Sequence, residues 1–166
     1  MDQDLQRYIN DHLAGSQGAI SLIQDLADRQ EMESEAKFFL DLKSKVEKDQ
    51  EILKSLLARA NLEQSTILKI AGSLTAKAGR IKLMWEGLET GKLGMFEALE
   101  ILALGIQGKR LLWVVLAEIA PFFPEWNDIH FADLELEAIS QRDSVEERRV
   151  EAGREALTNI ERRMKN

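Results

Sequence analysis

The positions of the prolines restrict this chain to a small set of folds. Both prolines, Pro121 and Pro124, lie close together, so the first 120 residues contain none of the strongest helix breaker. In four segments, apolar residues recur at alternating spacings of three and four, the period of a helix that packs on other helices. No segment of useful length alternates between apolar and polar residues as a half-buried strand would. These patterns predict an all-α protein.

The periodic segments divide the chain into helices and one long connection. Helices are predicted at residues 2–29, 31–60, 94–120 and 128–163. Residues 61–93 are amphipathic but interrupted by glycines, and they predict either a helical crossover or a further full helix. Asn127 or Asp128, after the proline-containing turn, is a suitable N-cap for the last helix. All 166 residues are therefore predicted to form a single helical-bundle domain.

The composition argues against several classes of function. A net charge of −7 with no dominant basic cluster is not typical of a nucleic-acid-binding protein. The absence of cysteine excludes disulfides, thiolate catalysis and cysteine-ligated metal sites. The longest uncharged run, residues 12–24, is shorter than the roughly 18 apolar residues of a membrane helix. With no secretory signal in the opening MDQDLQRY, we expect a cytoplasmic protein that contacts neither membrane nor nucleic acid.

A histidine and an aspartate lie on the apolar faces of the first two predicted helices. A short connection near residue 30 predicts that these helices are antiparallel. His12 precedes that connection by eighteen residues and Asp49 follows it by nineteen. The two side chains should therefore lie at the same level and face each other.

The same counting extends the layer to the other two helices. If residues 61–93 cross the length of the bundle, Lys109 or Arg110 and then Gln141 reach the level of Asp49. We predict that Lys109 or Arg110 forms an ion pair with Asp49 and that His12 donates a hydrogen bond to the same carboxylate. A buried charge is tolerated when it is paired and hydrogen-bonded in this way. The predicted layer consists of His12, Asp49, Lys109 or Arg110, and Gln141.

The order of the elements resembles the ferritin-like four-helix bundle, with two antiparallel pairs of helices joined by a long crossover. Di-iron members carry a glutamate on two helices and Glu-x-x-His on the other two. Here the residues three positions before His12 and His130 are Ile9 and Asn127. The resemblance therefore implies a divergent member with a degenerate di-iron site and no cofactor. The alternative is an atypical iron or manganese site built from His12, Asp49, Glu35 and Glu100.

Three interpretations of function remain open. The favoured one is a non-catalytic bundle protein, a stress-related or scaffolding module that forms a dimer. The alternative is a metal-binding oxidase or iron-storage relative, and the third is a lipid or small-molecule binder that uses a gap beside Gly15 and Gly18. Phe122, Phe123 and Trp126 either plug the end of the bundle or form an exposed patch for a protein partner.

Overall fold

The computed structural model describes residues 2–60 and 91–158. These ranges contain four α-helices, two short 3-10 helices and no strand. The α-helices are α1 (Asp2–Asp28), α2 (Glu33–Arg59), α3 (Lys92–Ile119) and α4 (Phe131–Thr158). The prediction of an all-α chain is confirmed for this part of the protein. The predicted crossover lies outside the described residues except at its end, where Lys92 and Leu93 already belong to α3.

The two prolines shape the connection between α3 and α4. Each stands near the start of a short 3-10 helix, Ala120–Phe122 and Pro124–Trp126. These turns occupy enough residues that α4 begins at Phe131, where the His130 carbonyl accepts the N–H groups of Asp133 and Leu134. The predicted N-caps Asn127 and Asp128 are therefore wrong, because the residue directly before this start is His130.

The core is divided into two apolar clusters with polar side chains between them. The first cluster includes Leu26, Leu42, Leu102 and Val145, and the second includes Leu13, Leu56, Trp113 and Ala138. Each of the four helices contributes to both clusters. The buried polar residues Asp49 and Gln141 lie between the two sets along α2 and α4. The polar layer therefore crosses the middle of the core.

Specific side-chain contacts join the helices in pairs. Between α1 and α2, Gln50 donates a hydrogen bond to Ser16 at 2.8 Å, and Lys43 donates one to Gln24 at 2.9 Å. Helix α3 packs along α4 and also contacts α1. None of the helices in the described ranges is long and apolar enough to cross a membrane.

An ion pair links α2 to α4 near one end of the core. The Arg148 guanidinium donates to both carboxylate oxygens of Glu35, at 2.8 and 3.1 Å. It also lies 3.4 Å from the centre of the Phe38 ring. This two-point contact and the ring beneath it hold the guanidinium in one orientation.

Part of the apolar face predicted for α1, including His12, lies outside the core. Leu13 and Ile20 are buried, whereas His12, Ser16 and Ala19 are only half-buried. The alternating spacing covers a stripe wide enough to meet more than one neighbouring helix, and α1 contacts both α2 and α3. His12, Ser16 and Ala19 consequently line a cavity rather than fill the core.

Candidate functional site

A buried ion pair forms the centre of the polar layer. Lys109 on α3 places its Nζ 2.6 Å from the Oδ2 of Asp49 on α2. The side chains of Lys109 and Asp49 are only 13% and 6% exposed. The Lys109 ammonium also donates a hydrogen bond to the Gln141 Oε1 on α4. One cation therefore joins three helices at the level where the two apolar clusters meet.

The other two residues of the predicted layer lie elsewhere. Arg110 pairs with Glu135, to which its Nε and an Nη donate at 3.0 and 2.7 Å. His12 contacts the Tyr8 ring edge-on, with ring centres 4.9 Å apart. The expected hydrogen bond between His12 and Asp49 is not formed among the described residues, because Leu13 rather than His12 turns into the core. Lys109, and not Arg110, is the cation that meets Asp49.

Burial is the largest influence on the pKa values of two titratable groups in this region, Asp49 and His12. It raises the pKa of the Asp49 carboxyl, and the charge and hydrogen bond of Lys109 act in the opposite direction. Burial likewise lowers the pKa of His12, against the attraction of Asp11. The His12 ring is therefore neutral near pH 7 and offers one hydrogen-bond donor and one acceptor.

A cavity of about 330 Å³ adjoins the polar layer between α1, α2 and α3. Most of its wall is apolar, with Leu22, Val46, Ile101, Leu102, Ile106 and Leu112 among the lining side chains. The α3 residues in this wall extend from 101 to 112, a distance of about 16 Å at 1.5 Å per residue. The space is therefore elongated along the helices.

Three glycines form part of the cavity wall and have open space beside them. Gly15, Gly105 and Gly108 line it, and a Cβ placed on any of the three would meet no other heavy atom within 4 Å. Of the two glycines that the sequence had indicated, Gly15 is in the wall and Gly18 is not. Gly105 and Gly108 were missed, although a Gly-x-x-Gly spacing inside the most apolar helix was a visible signal.

The polar side of the cavity combines charged and uncharged groups. Asp49 and Lys109 face it as a pair, and Ser16 and Gln50 face it joined by their own hydrogen bond. His12 also lines it, and no hydrogen bond to its ring is formed within the described part of the chain. His12 thus presents an uncharged polar ring that is available to a bound molecule.

The four residues of the alternative metal site are not brought together. Glu35 binds Arg148, Glu100 lies 3.4 Å from an Nη of Arg149, and Asp49 is paired with Lys109. Across residues 2–60 and 91–158 there is no group of three or more histidine or carboxylate side chains that could hold a metal ion.

The aromatic residues of the α3–α4 connection divide into a plug and an exposed ring. Trp126 is buried and donates its Nε1–H to the Leu56 carbonyl at 3.2 Å. Phe123 stacks on Trp126 with ring centres 4.2 Å apart, whereas Phe122 is 77% exposed. Trp126 is therefore part of the core and is inaccessible to a protein partner.

No family model, curated protein or solved structure matches this chain. The resemblance to the ferritin-like bundle accordingly depends on helix order and helix length alone. Within the described residues, the polar layer and the adjoining cavity are the features to which a function can be connected.

Proposed function

We propose that this protein is a non-catalytic helical-bundle protein that binds a small apolar molecule in the cavity between α1, α2 and α3. The observation that carries the proposal is the cavity itself, about 330 Å³ in volume and lined mainly by apolar side chains and glycines. Protein sites for small molecules occupy about 300–1,000 Å³ and combine apolar walls with a few polar groups. An engineered apolar cavity of about 150 Å³ already binds benzene.

The proposed architecture is a ferritin-like bundle with two antiparallel pairs of helices. Two contacts between α1 and α2 support antiparallel pairing, because Ser16 meets Gln50 while Gln24 meets Lys43. Residue numbers therefore rise along one helix as they fall along the other. Bundles of this kind hold ligands and cofactors between side chains of facing helices. The cavity beside the polar layer occupies a comparable position.

Binding of an apolar molecule is compatible with the expected stress-related or scaffolding role, which stays a prediction. The expected dimer also stays a prediction, and light scattering combined with size-exclusion chromatography measures it directly. The exposed Phe122 ring is the part of the predicted aromatic patch that remains available for a partner.

The binding proposal is tested with the fluorescent, uncharged probe N-phenylnaphthylamine. We expect saturable binding to the wild type at one site per chain. The variant Gly108→Leu places a side chain in the cavity wall and should weaken binding by about tenfold or more. Ala117→Leu is the matched control, because Ala117 is exposed on the same helix and does not line the cavity.

Two results would overturn the proposal. One is the absence of saturable binding, and the other is a Gly108→Leu variant that folds and binds the probe as tightly as Ala117→Leu. The metal-binding alternative has a separate test, elemental mass spectrometry of protein exposed to ferrous iron under air. Near-stoichiometric iron or manganese would favour an oxidase or storage relative and would direct mutagenesis to His12, Asp49, Glu35 and Glu100.

A further inference from the structure

The charges that face the cavity already have partners within the protein. Lys109 is the cationic side chain in its described wall, and that ammonium lies 2.6 Å from Asp49 and also donates to Gln141. Asp11 on α1 also lines the cavity and is exposed. A carboxylate ligand would therefore find no uncompensated positive charge among the described residues of this wall.

An ionic head group would also be costly to remove from water at this position. Most of the cavity wall is apolar, and a desolvated ion is stabilised only when a counter-charge and hydrogen bonds replace its water. For a carboxylate to use Lys109, it would have to displace Asp49 from a short and buried contact. For an ammonium to use Asp49, it would have to displace Lys109.

His12 supplies the uncharged polar contact that the ion pair does not. Its ring lines the cavity, is held by the edge of Tyr8, and has no hydrogen bond to protein groups in the described ranges. A neutral imidazole can donate to a carbonyl or accept from a hydroxyl, and its second nitrogen offers the opposite function. A ligand with one such group can therefore be oriented without carrying charge.

We infer that the cavity selects uncharged ligands, apolar chains or ring systems that carry a single hydroxyl or carbonyl group, over molecules of the same size with a carboxylate or ammonium group. The inference deepens the proposed function and depends on it. Asp49 sets the selectivity by neutralising Lys109, and His12 contacts the single polar group of the ligand.

The experiment compares ligands of equal chain length by their displacement of N-phenylnaphthylamine at about pH 8. At this pH the decanoate carboxylate is ionised, and the lowered pKa of His12 keeps its ring neutral. The wild type should bind 1-decanol at least about tenfold more tightly than decanoate. In Asp49→Asn, Lys109 keeps its charge without a counter-ion, so affinity for decanoate should rise by about tenfold. Affinity of the variant for 1-decanol should change by less than about threefold.

Two further controls separate charge selection from general effects on the cavity. The affinity for decyltrimethylammonium should not increase in Asp49→Asn, because the variant adds no negative charge. His12→Phe should lower the affinity for 1-decanol by about threefold to tenfold, the usual range for one hydrogen bond. The affinity for 1-chlorodecane should not change.

The outcomes distinguish failure of the inference from failure of the proposed function. If the wild type binds neither the probe nor 1-decanol, the proposed function fails and the inference fails with it. If the probe and 1-decanol bind but decanoate binds equally well, the inference alone is overturned. A folded Asp49→Asn variant with unchanged decanoate affinity also overturns the inference and leaves the proposed function standing. If circular dichroism shows that this variant is unfolded, the comparison of 1-decanol with decanoate on the wild type decides.

Discussion

The aromatic end of the core and its polar middle are built on opposite principles. At the end near the α3–α4 connection, Trp113, Trp126 and Phe131 pack with Leu56 and Leu116, and all five are buried. In the middle, a lysine–aspartate pair replaces apolar packing, and glycines leave an adjoining cavity. The composition of the first region is the one expected if burial of apolar area alone determined the core. The second combines a buried charge pair and unfilled space, both of which generally reduce stability.

The contrast indicates where the chain has given up stability. A buried ion pair is often no more stable than well-packed apolar residues of similar volume, so its presence does not strengthen the core. Helix interiors also disfavour glycine, yet Gly105 and Gly108 both lie inside α3. When unfavourable choices concentrate at one place, a functional constraint is a better explanation than folding. Substitutions confined to one region at a time test whether the two regions differ in this way.

The largest expected effect belongs to the aromatic end. Trp126→Ala removes a fully buried ring, its stacking on Phe123 and its hydrogen bond to the Leu56 carbonyl. We expect the free energy of unfolding to fall by about 3–5 kcal/mol in urea or guanidinium titrations. Phe122→Ala is the control, because that ring is largely exposed and its removal should cost less than about 0.5 kcal/mol. Equal losses of stability in the two variants would contradict the conclusion that Trp126 is packed in the core and Phe122 is not.

The next effect is expected from the polar layer. Asp49→Ala leaves the Lys109 ammonium buried without its counter-charge, and breaking such a pair costs about 3 kcal/mol or more. The double variant Asp49→Leu with Lys109→Met removes both charges and should recover most of the loss in the same unfolding titration. A single variant as stable as the wild type would show that the pair is not buried. A double variant no better than the single one would show that the charges stabilise the core.

Residue spacing predicted most of the polar layer because level along a helix depends only on counting. Asp49 and Lys109 lie sixteen and seventeen residues after the first residues of α2 and α3. Gln141 lies ten residues after the start of α4, and Lys109 lies ten residues before the end of α3. The rotation of a helix about its own axis is less well determined by sequence. Leu13 and His12 are adjacent, and packing against both α2 and α3 turned Leu13 inward. The cavity was harder still to predict, because its volume depends on how side chains from several helices pack together.

A smaller effect of opposite sign is expected in the cavity wall. Gly105→Ala should raise the free energy of unfolding by up to about 1 kcal/mol, because the new methyl group meets nothing within 4 Å and alanine favours the helix. Gly153 on α4 provides the contrast, since a Cβ there would lie 2.8 Å from the Phe96 ring. The free energy of unfolding of Gly153→Ala should therefore be unchanged or lower than that of the wild type. If both variants were equally stabilised in thermal or urea unfolding, the open space beside Gly105 would not distinguish the two sites.

The smallest effect concerns His12 and the pH dependence of stability. Burial lowers the pKa of His12 below its ordinary value of 6.5, so on acidification the unfolded chain takes up a proton at this residue before the folded protein does. Its contribution to stability is complete above pH 6.5 and is lost as the pH falls through the window between 6.5 and the lowered pKa. His12→Gln cannot titrate and should therefore lose less stability than the wild type between about pH 7.5 and about pH 5.5 in urea titrations. His130→Gln is the control, because His130 is exposed. A His12→Gln variant that parallels the wild type across this range would show that the ring is solvated, and the cavity would then lack its uncharged polar contact.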